Sequence, residues 1–204
     1  MRLAPALMAL VLVAGCLPTS PNVPPQQYFV LDSPAKAGTT QRAAPLNRAL
    51  LIGPTSASPF YDTQNLVYTR AAGQRAYYQF AAWTERPGRR FAELLMRRLE
   101  ARGGFKSVAS TTSGVKGDLV LNTRLEEFYQ DVSANPGSVR IEVYAELVDH
   151  VERSVVARRR FSQNAPADGA NAAAAVTAFN RALSGLLDEL SAWVEEAAAR
   201  PAAR

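Results

Sequence analysis

The sequence predicts an α+β domain: a mostly antiparallel sheet with two helices packed on one face. Three observations carry that expectation. Apolar residues recur every third or fourth position ahead of Gly103 and again between Gly169 and Pro201, which is helical spacing. Short runs rich in β-branched and aromatic residues stop at glycine, proline or asparagine, as strands do. Three such runs follow the first helix in succession, with connections short enough for hairpins.

The chain opens on an export signal. Met1-Arg2 supplies a positive start, Leu3 to Val13 an apolar stretch, and Ala14-Gly15 the small residues that precede a cut. That stretch falls short of the about 20 residues a transmembrane helix needs. Val13-Ala14-Gly15-Cys16 has the form of a lipobox, and Cys16 is the only cysteine. Its thiol is expected to carry a diacylglyceryl group and its freed amine an acyl chain such as palmitate. Two or more chains anchor a protein stably, where one holds it only marginally. An ordinary signal peptide would instead leave a lone free thiol in an oxidising compartment, with no partner inside the chain. Leu17 follows Cys16 where inner-membrane retention in enteric-type lipoproteins typically uses aspartate, so the outer membrane, periplasmic face, is the expected address.

Residues 1–15 are therefore assigned to the signal, 16–27 to the lipidated cysteine and tether, and 28–200 to a single domain. Without Arg2, 22 basic residues face 18 acidic ones, a formal charge of +4. That excess suits anionic surfaces, but with no aromatic-interleaved basic segment it excludes a nucleic-acid-binding signature. Leu17 to Gln27 contains Pro18, Pro21, Pro24 and Pro25 and little that can be buried. As a proline-rich linker it reaches roughly 34 Å, enough to hold a domain off the headgroups.

The folded part is expected to begin with a strand at Tyr28 to Leu31, followed by a loose stretch from Ala35 to Asn47. Ala49 to Ile52 restarts as a buried strand stopped by Gly53-Pro54. Leu66 to Arg70 and Arg75 to Phe80 flank Gly73 as a hairpin. Thr84 is the expected N-cap of the first helix and Pro87 sits in its opening turn, with Phe91, Leu94, Leu95 and Leu99 on one face. Gly103-Gly104 ends it, and Phe105 to Ala109 forms a short strand before a polar turn at Thr111 to Lys116.

In the next strand Leu119, Leu121 and Leu125 share a face but Phe128 falls out of phase, which predicts a bulge near Glu126-Glu127. Asn135-Pro136-Gly137 turns the chain into a strand with Val139, Ile141, Val143, Ala145 and Leu147 on one face. Asp149 to Arg153 turns it again into Ser154 to Phe161. The terminal helix carries Val176, Phe179, Leu183, Leu187, Leu190 and Val194 at helical spacing.

Little in this inventory supports catalysis. The one histidine, His150, falls in a hairpin turn, so zinc sites and Ser-His or Cys-His pairs lack material. Glu126 and Glu127 point to opposite faces of a regular strand and serve as an acid/base pair only if the bulge realigns them. Gly103-Gly104-Phe105-Lys106-Ser107 lacks phosphate-loop spacing and follows a helix instead of preceding one. No enzyme, metal or cofactor is expected. Arg97-Arg98 and Arg158-Arg159-Arg160 read as solvated charge or as contacts for headgroups or an acidic partner, with Arg158 and Arg160 sharing a face. Tyr77, Tyr78, Phe80 and Trp83 suit either a binding groove or a buried sheet edge.

The lipobox, the proline-rich tether, Tyr28-Phe29-Val30-Leu31, Leu66-Val67-Tyr68-Thr69-Arg70, Trp83-Thr84-Glu85 before a helix, the strand meander and a C-terminal helix with Trp193 together resemble the ABC-type transport auxiliary lipoprotein family. That family includes the lipoproteins of paraquat-inducible and Mla-like intermembrane systems. The opening strand matches its Tyr-Tyr-x-Leu pattern with phenylalanine second; Ala81 to Pro87 lacks the histidine of the family's His-x-Trp-x-Glu-Pro-like run and inserts Arg86. The resemblance implies a non-enzymatic accessory of a lipid transporter, whose partners are an ABC permease and ATPase and an MCE-domain protein crossing the periplasm. A homo-oligomeric ring around such a conduit is compatible with it. The alternatives are an envelope-assembly accessory, or a lipoprotein holding a small apolar ligand between sheet and helices.

Overall fold

A computed structural model describes residues 23–33 and 44–200. Nine strands form one curled sheet and two helices cover it. The strands are β1 (Gln27–Phe29), β2 (Leu46–Ile52), β3 (Ser56–Ala57), β4 (Asn65–Thr69), β5 (Ala76–Trp83), β6 (Phe105–Ser110), β7 (Leu119–Asp131), β8 (Ser138–Asp149) and β9 (Ser154–Pro166). The helices are α1 (Pro87–Arg102) and α2 (Ala172–Ala199). Residues 1–22, and with them Cys16 and most of the tether, lie outside the described residues.

The spine of the sheet is β7. Along one edge it pairs antiparallel with β8 from Leu119↔Asp149 to Asp131↔Ser138, and β8 pairs antiparallel with β9. Along its other edge three short strands dock in turn, all parallel to it: β2 at Leu119 to Leu121, β3 at Arg124-Leu125, and β4 at Gln130-Asp131. Beyond these, β6 pairs parallel with β2, β5 antiparallel with β4, and β1 parallel with β5. The sheet is thus mixed, which corrects the expectation of a mostly antiparallel one. Hairpin neighbours are antiparallel because their turns reverse the chain, whereas β2 and β7 meet only after the chain has passed through the β4–β5 hairpin, α1 and β6.

The bulge lies where the phase slip in the sequence places it. Register shifts between Leu125↔Val143 and Glu127↔Glu142, so Glu126 is the extra residue and Phe128 returns to the core side, 3 % exposed. On β8, Val139, Ile141, Val143, Ala145 and Leu147 are fully buried, while the residues between them are half-buried. This alternation puts one face of the sheet under the helices and leaves the other to solvent.

Helix α1 starts two residues later than expected. Arg86, not Thr84, occupies the N-cap, and Pro87 is the first helical residue, where its missing N–H costs no hydrogen bond. Gly103 ends the helix in the left-handed region at φ 63°, with its N–H donating to the Glu100 carbonyl at 3.1 Å. Asn171 caps α2, its Oδ1 accepting the Ala174 N–H at 2.9 Å. Phe91, Leu95 and Leu99 of α1 and Phe179, Leu183, Leu187 and Val194 of α2 join the sheet face in a single core. Strand β2 begins at Leu46, earlier than expected, and β3 adds two residues that the sequence pattern does not mark. The third meander strand continues past Phe161 to Pro166.

Candidate functional site

The features assembled from the sequence distribute over three surfaces and two buried clamps. Trp83 is 1 % exposed and packs on Phe128 and Phe179, with ring centroids 5.8 and 5.5 Å away. It belongs to the core, not to a groove. Trp193 is likewise buried, edge-on to Phe161 at 5.4 Å, and fastens α2 to β9. Only Tyr77 of the aromatic run is well exposed. It stacks on Phe60 at 4.6 Å, forming a small aromatic shelf beside β5. Tyr78 turns the other way, its hydroxyl donating to Gln130 Oε1 at 2.5 Å, and burial raises its pKa.

The bulge leaves Glu126 and Glu127 both half-buried between buried Leu125 and Phe128, and each has its own partners. Glu126 accepts from Arg124 and Arg160, while Glu127 accepts from Arg75 Nη2 at 2.9 Å and Tyr61 Oη at 3.2 Å. Each carboxylate is held by a guanidinium. Hydrogen bonding from Arg160 depresses the pKa of Glu126, which fixes it as a charged acceptor and not a proton donor near neutrality. Arg75 also lies over the Tyr129 ring at 3.7 Å, so Tyr61, Arg75, Glu127 and Tyr129 join the loop after β3 to the β4–β5 hairpin and β7. The role is structural.

Arginine pairing also decides the two basic runs. Arg158 bonds Glu146 at 2.6 Å and Arg160 bonds Glu126 on the solvent face, while Arg159 turns to Glu189 of α2 at 2.6 Å. Their shared-face arrangement is as expected, but the charges are matched within the chain, which leaves little net attraction for headgroups or an acidic partner. Arg97 is exposed, but Arg98 is buried, donating to Asp188 of α2 and to Ser33 Oγ at 2.9 Å. Arg102 and Glu195 form a second clamp, a bidentate pair at 2.7 and 2.8 Å. Arg98 falls seven residues after Phe91 and three after Leu95, so the helical face itself marked it for burial.

A cleft of about 850 Å³ opens where β2 and β6 end and α1 begins. Ile52, Ala92 and Met96 contribute its apolar part; Arg86 and Asp62 are bridged at 3.2 Å, and the Ser110 and Thr112 hydroxyls bond each other at 2.8 Å. Its lining thus combines an apolar floor with polar groups already bonded to one another. His150 is exposed in the β8–β9 turn, its backbone N–H donating to the Asp118 carbonyl at 2.9 Å. Among the described residues, no group of three or more His, Cys, Asp or Glu side chains is arranged to hold a metal ion. No helix of the described residues is long and apolar enough to cross a membrane.

A family model described as the ABC-type transport auxiliary lipoprotein component matches residues 29–191. Among solved structures, a protein from Xanthomonas campestris is 23 % identical, with a TM-score of 0.76, over 84 % of this chain and 96 % of that one. An uncharacterized protein aligns at 13 % identity and a TM-score of 0.67, covering 84 % of this chain and 99 % of its own. A hypothetical protein from Chlamydia trachomatis aligns at 12 % identity and a TM-score of 0.54, over 76 % and 99 %. At these identities the likenesses bear on the fold alone. No curated protein matches the sequence.

Proposed function

The chain belongs to the ABC-type transport auxiliary lipoprotein family, and we propose that it is a non-enzymatic accessory of an intermembrane lipid transporter, anchored through Cys16 at the outer membrane. In this reading the domain docks or steadies an MCE-domain protein that crosses the periplasm and works with an ABC permease and ATPase. The observation that carries it is the lipobox Val13-Ala14-Gly15-Cys16 standing just ahead of a domain matched by the family over residues 29–191. Anchoring raises the local concentration of the partner, so no single docking surface has to be tight. The compact, internally paired surfaces suit a steadying role better than a chemical one.

The alternative of an apolar ligand held between sheet and helices finds no support in the packing. That layer is filled by Phe128, Phe179, Leu183 and Ile141, each 3 % exposed or less. Crosslinking in intact cells that traps an MCE-domain protein, and neighbouring genes for a permease, an ATPase and such a protein, are the expected results. Purified protein that carries lipid stoichiometrically, with no such partner in cells, would overturn the assignment.

A further inference from the structure

Three large apolar side chains face solvent at the N-terminal end of the described fold: Val23 is 59 % exposed, Tyr28 66 % and Val30 52 %. Tyr28 and Val30 are two residues apart on extended chain and share an outward side, while Leu31 is buried and Phe29 packs against the core. This stripe has a rigid base. The Thr84 N–H donates to the Phe29 carbonyl at 2.8 Å, Arg90 Nε to the Leu31 carbonyl at 2.9 Å, and the Asp32 N–H to Asn180 Oδ1 at 3.0 Å. Among the described residues β1 pairs with β5 and with no strand on its other side.

Residues 17–22 separate this end of the fold from Cys16. Even fully extended, the chain from Cys16 covers only about 25 Å to Val23 and about 48 Å to Val30. An acylated Cys16 therefore keeps the stripe near the lipid, more tightly than it keeps any later part of the domain. We propose that Val23, Tyr28 and Val30 form a seat that rests in the interfacial layer of the membrane holding the Cys16 lipid. The proposal rests on the Cys16 anchor of the preceding reading and adds the orientation of the domain. A tyrosine ring flanked by aliphatic side chains fits the boundary between acyl chains and headgroups, where one end is apolar and the other wet. Tethering makes a weak seat sufficient, because the surface is always close.

The contact is apolar, not electrostatic. The charge tied to the stripe's base is matched: Arg90, whose Nε holds the Leu31 carbonyl, pairs with Asp32. Lipid charge and salt should then matter little.

The test uses the full-length acylated protein in phosphatidylcholine vesicles, with Cys16 acylation verified by mass spectrometry. Tyr28→Cys and Val30→Cys each carry an environment-sensitive fluorophore, and Lys106→Cys on the exposed β6 edge serves as the water reference; lipidation blocks the Cys16 thiol against labelling. The labels at 28 and 30 are expected to lose iodide quenching and to gain quenching by headgroup-labelled lipid, unchanged in anionic vesicles or high salt, while the label at 106 stays iodide-accessible. Acylated, vesicle-bound protein whose labels at 28 and 30 remain as accessible as that at 106 would overturn the seat alone. Protection already present in the same labelled proteins carrying Cys16→Ala, in detergent-free buffer without vesicles, would assign the stripe to a second copy of the chain, against the proposal. Absence of acyl chains on Cys16 would remove anchor and seat together.

Discussion

Arg98 of α1 donates a hydrogen bond to Asp188 of α2, with the arginine side chain 1 % exposed and the aspartate 35 %. The charge is buried on one side of the pair only. Removing Asp188 strands a buried guanidinium with Ser33 as its remaining partner, whereas removing Arg98 leaves a carboxylate that water can reach. Asp188→Ala is expected to lose about 3 kcal/mol, and Arg98→Met less. Chemical denaturation of both variants checks the order, and equal losses would mean that Arg98 is solvated.

The second clamp depends on a glycine. A Cβ on Gly104 would lie 2.7 Å from Glu195 Oε1, which is held in its bidentate pair with Arg102. Gly104→Ala should push the carboxylate off the guanidinium and cost about 1–3 kcal/mol. Pairing the change with Glu195→Ala makes room again, so the two losses should be clearly less than additive in a double-mutant cycle.

Trp83 tests whether the family's tryptophan acts in packing. With Phe128 and Phe179 against it, Trp83→Ala should cost about 3–5 kcal/mol in unfolding measurements. Trp83→Phe should cost much less, because among the described residues the indole Nε1 has no hydrogen-bond partner to lose. A Trp83→Ala protein of full stability would point instead to a surface role.

Acid should weaken the β8–β9 turn. The Glu152 backbone N–H and Arg48 hold the Asp149 carboxyl below its ordinary value of 3.8. A depressed folded pKa contributes stability above the unfolded pKa and loses it as pH falls through the folded one. Stability should therefore decline from about pH 5 downward, and Asp149→Asn should be less stable at neutral pH with a shallower acid decline. Thermal unfolding across that range measures both.

Cys16→Ala is expected to leave the fold intact, since every described contact begins at or after Val23. Fractionation should find the variant released or misplaced and its contribution to transport lost. Full envelope function from a periplasmic variant at normal levels would defeat the tethering reading.

The parts of the fold legible in the sequence are those set by neighbours along the chain. The alternation of β8 from Val139 to Leu147 and the phase slip at Glu126 were both visible, because a strand's period of two records which face is buried. The β4–β5 hairpin and the end of α1 were marked by Gly73 and Gly103, both at positive φ. β3, two residues long, carries no periodicity to read. As a residue type Arg98 suggests surface charge, yet its spacing from Phe91 and Leu95 puts it on the buried face of α1.

By itself the sequence carried the expectation of an anchor at Cys16 and the motifs of the family resemblance, and it determined the two helices and the apolar faces of the longer strands, since those faces follow from local composition and period. The tertiary structure decided the parallel docking of β2, β3 and β4 along one edge of β7, the burial of Trp83, and the capture of Arg98 and Glu195 between the helices. These are partnerships between residues far apart in the chain. A local pattern fixes which side of an element is apolar, but which distant side chain meets it is settled only when the whole core closes.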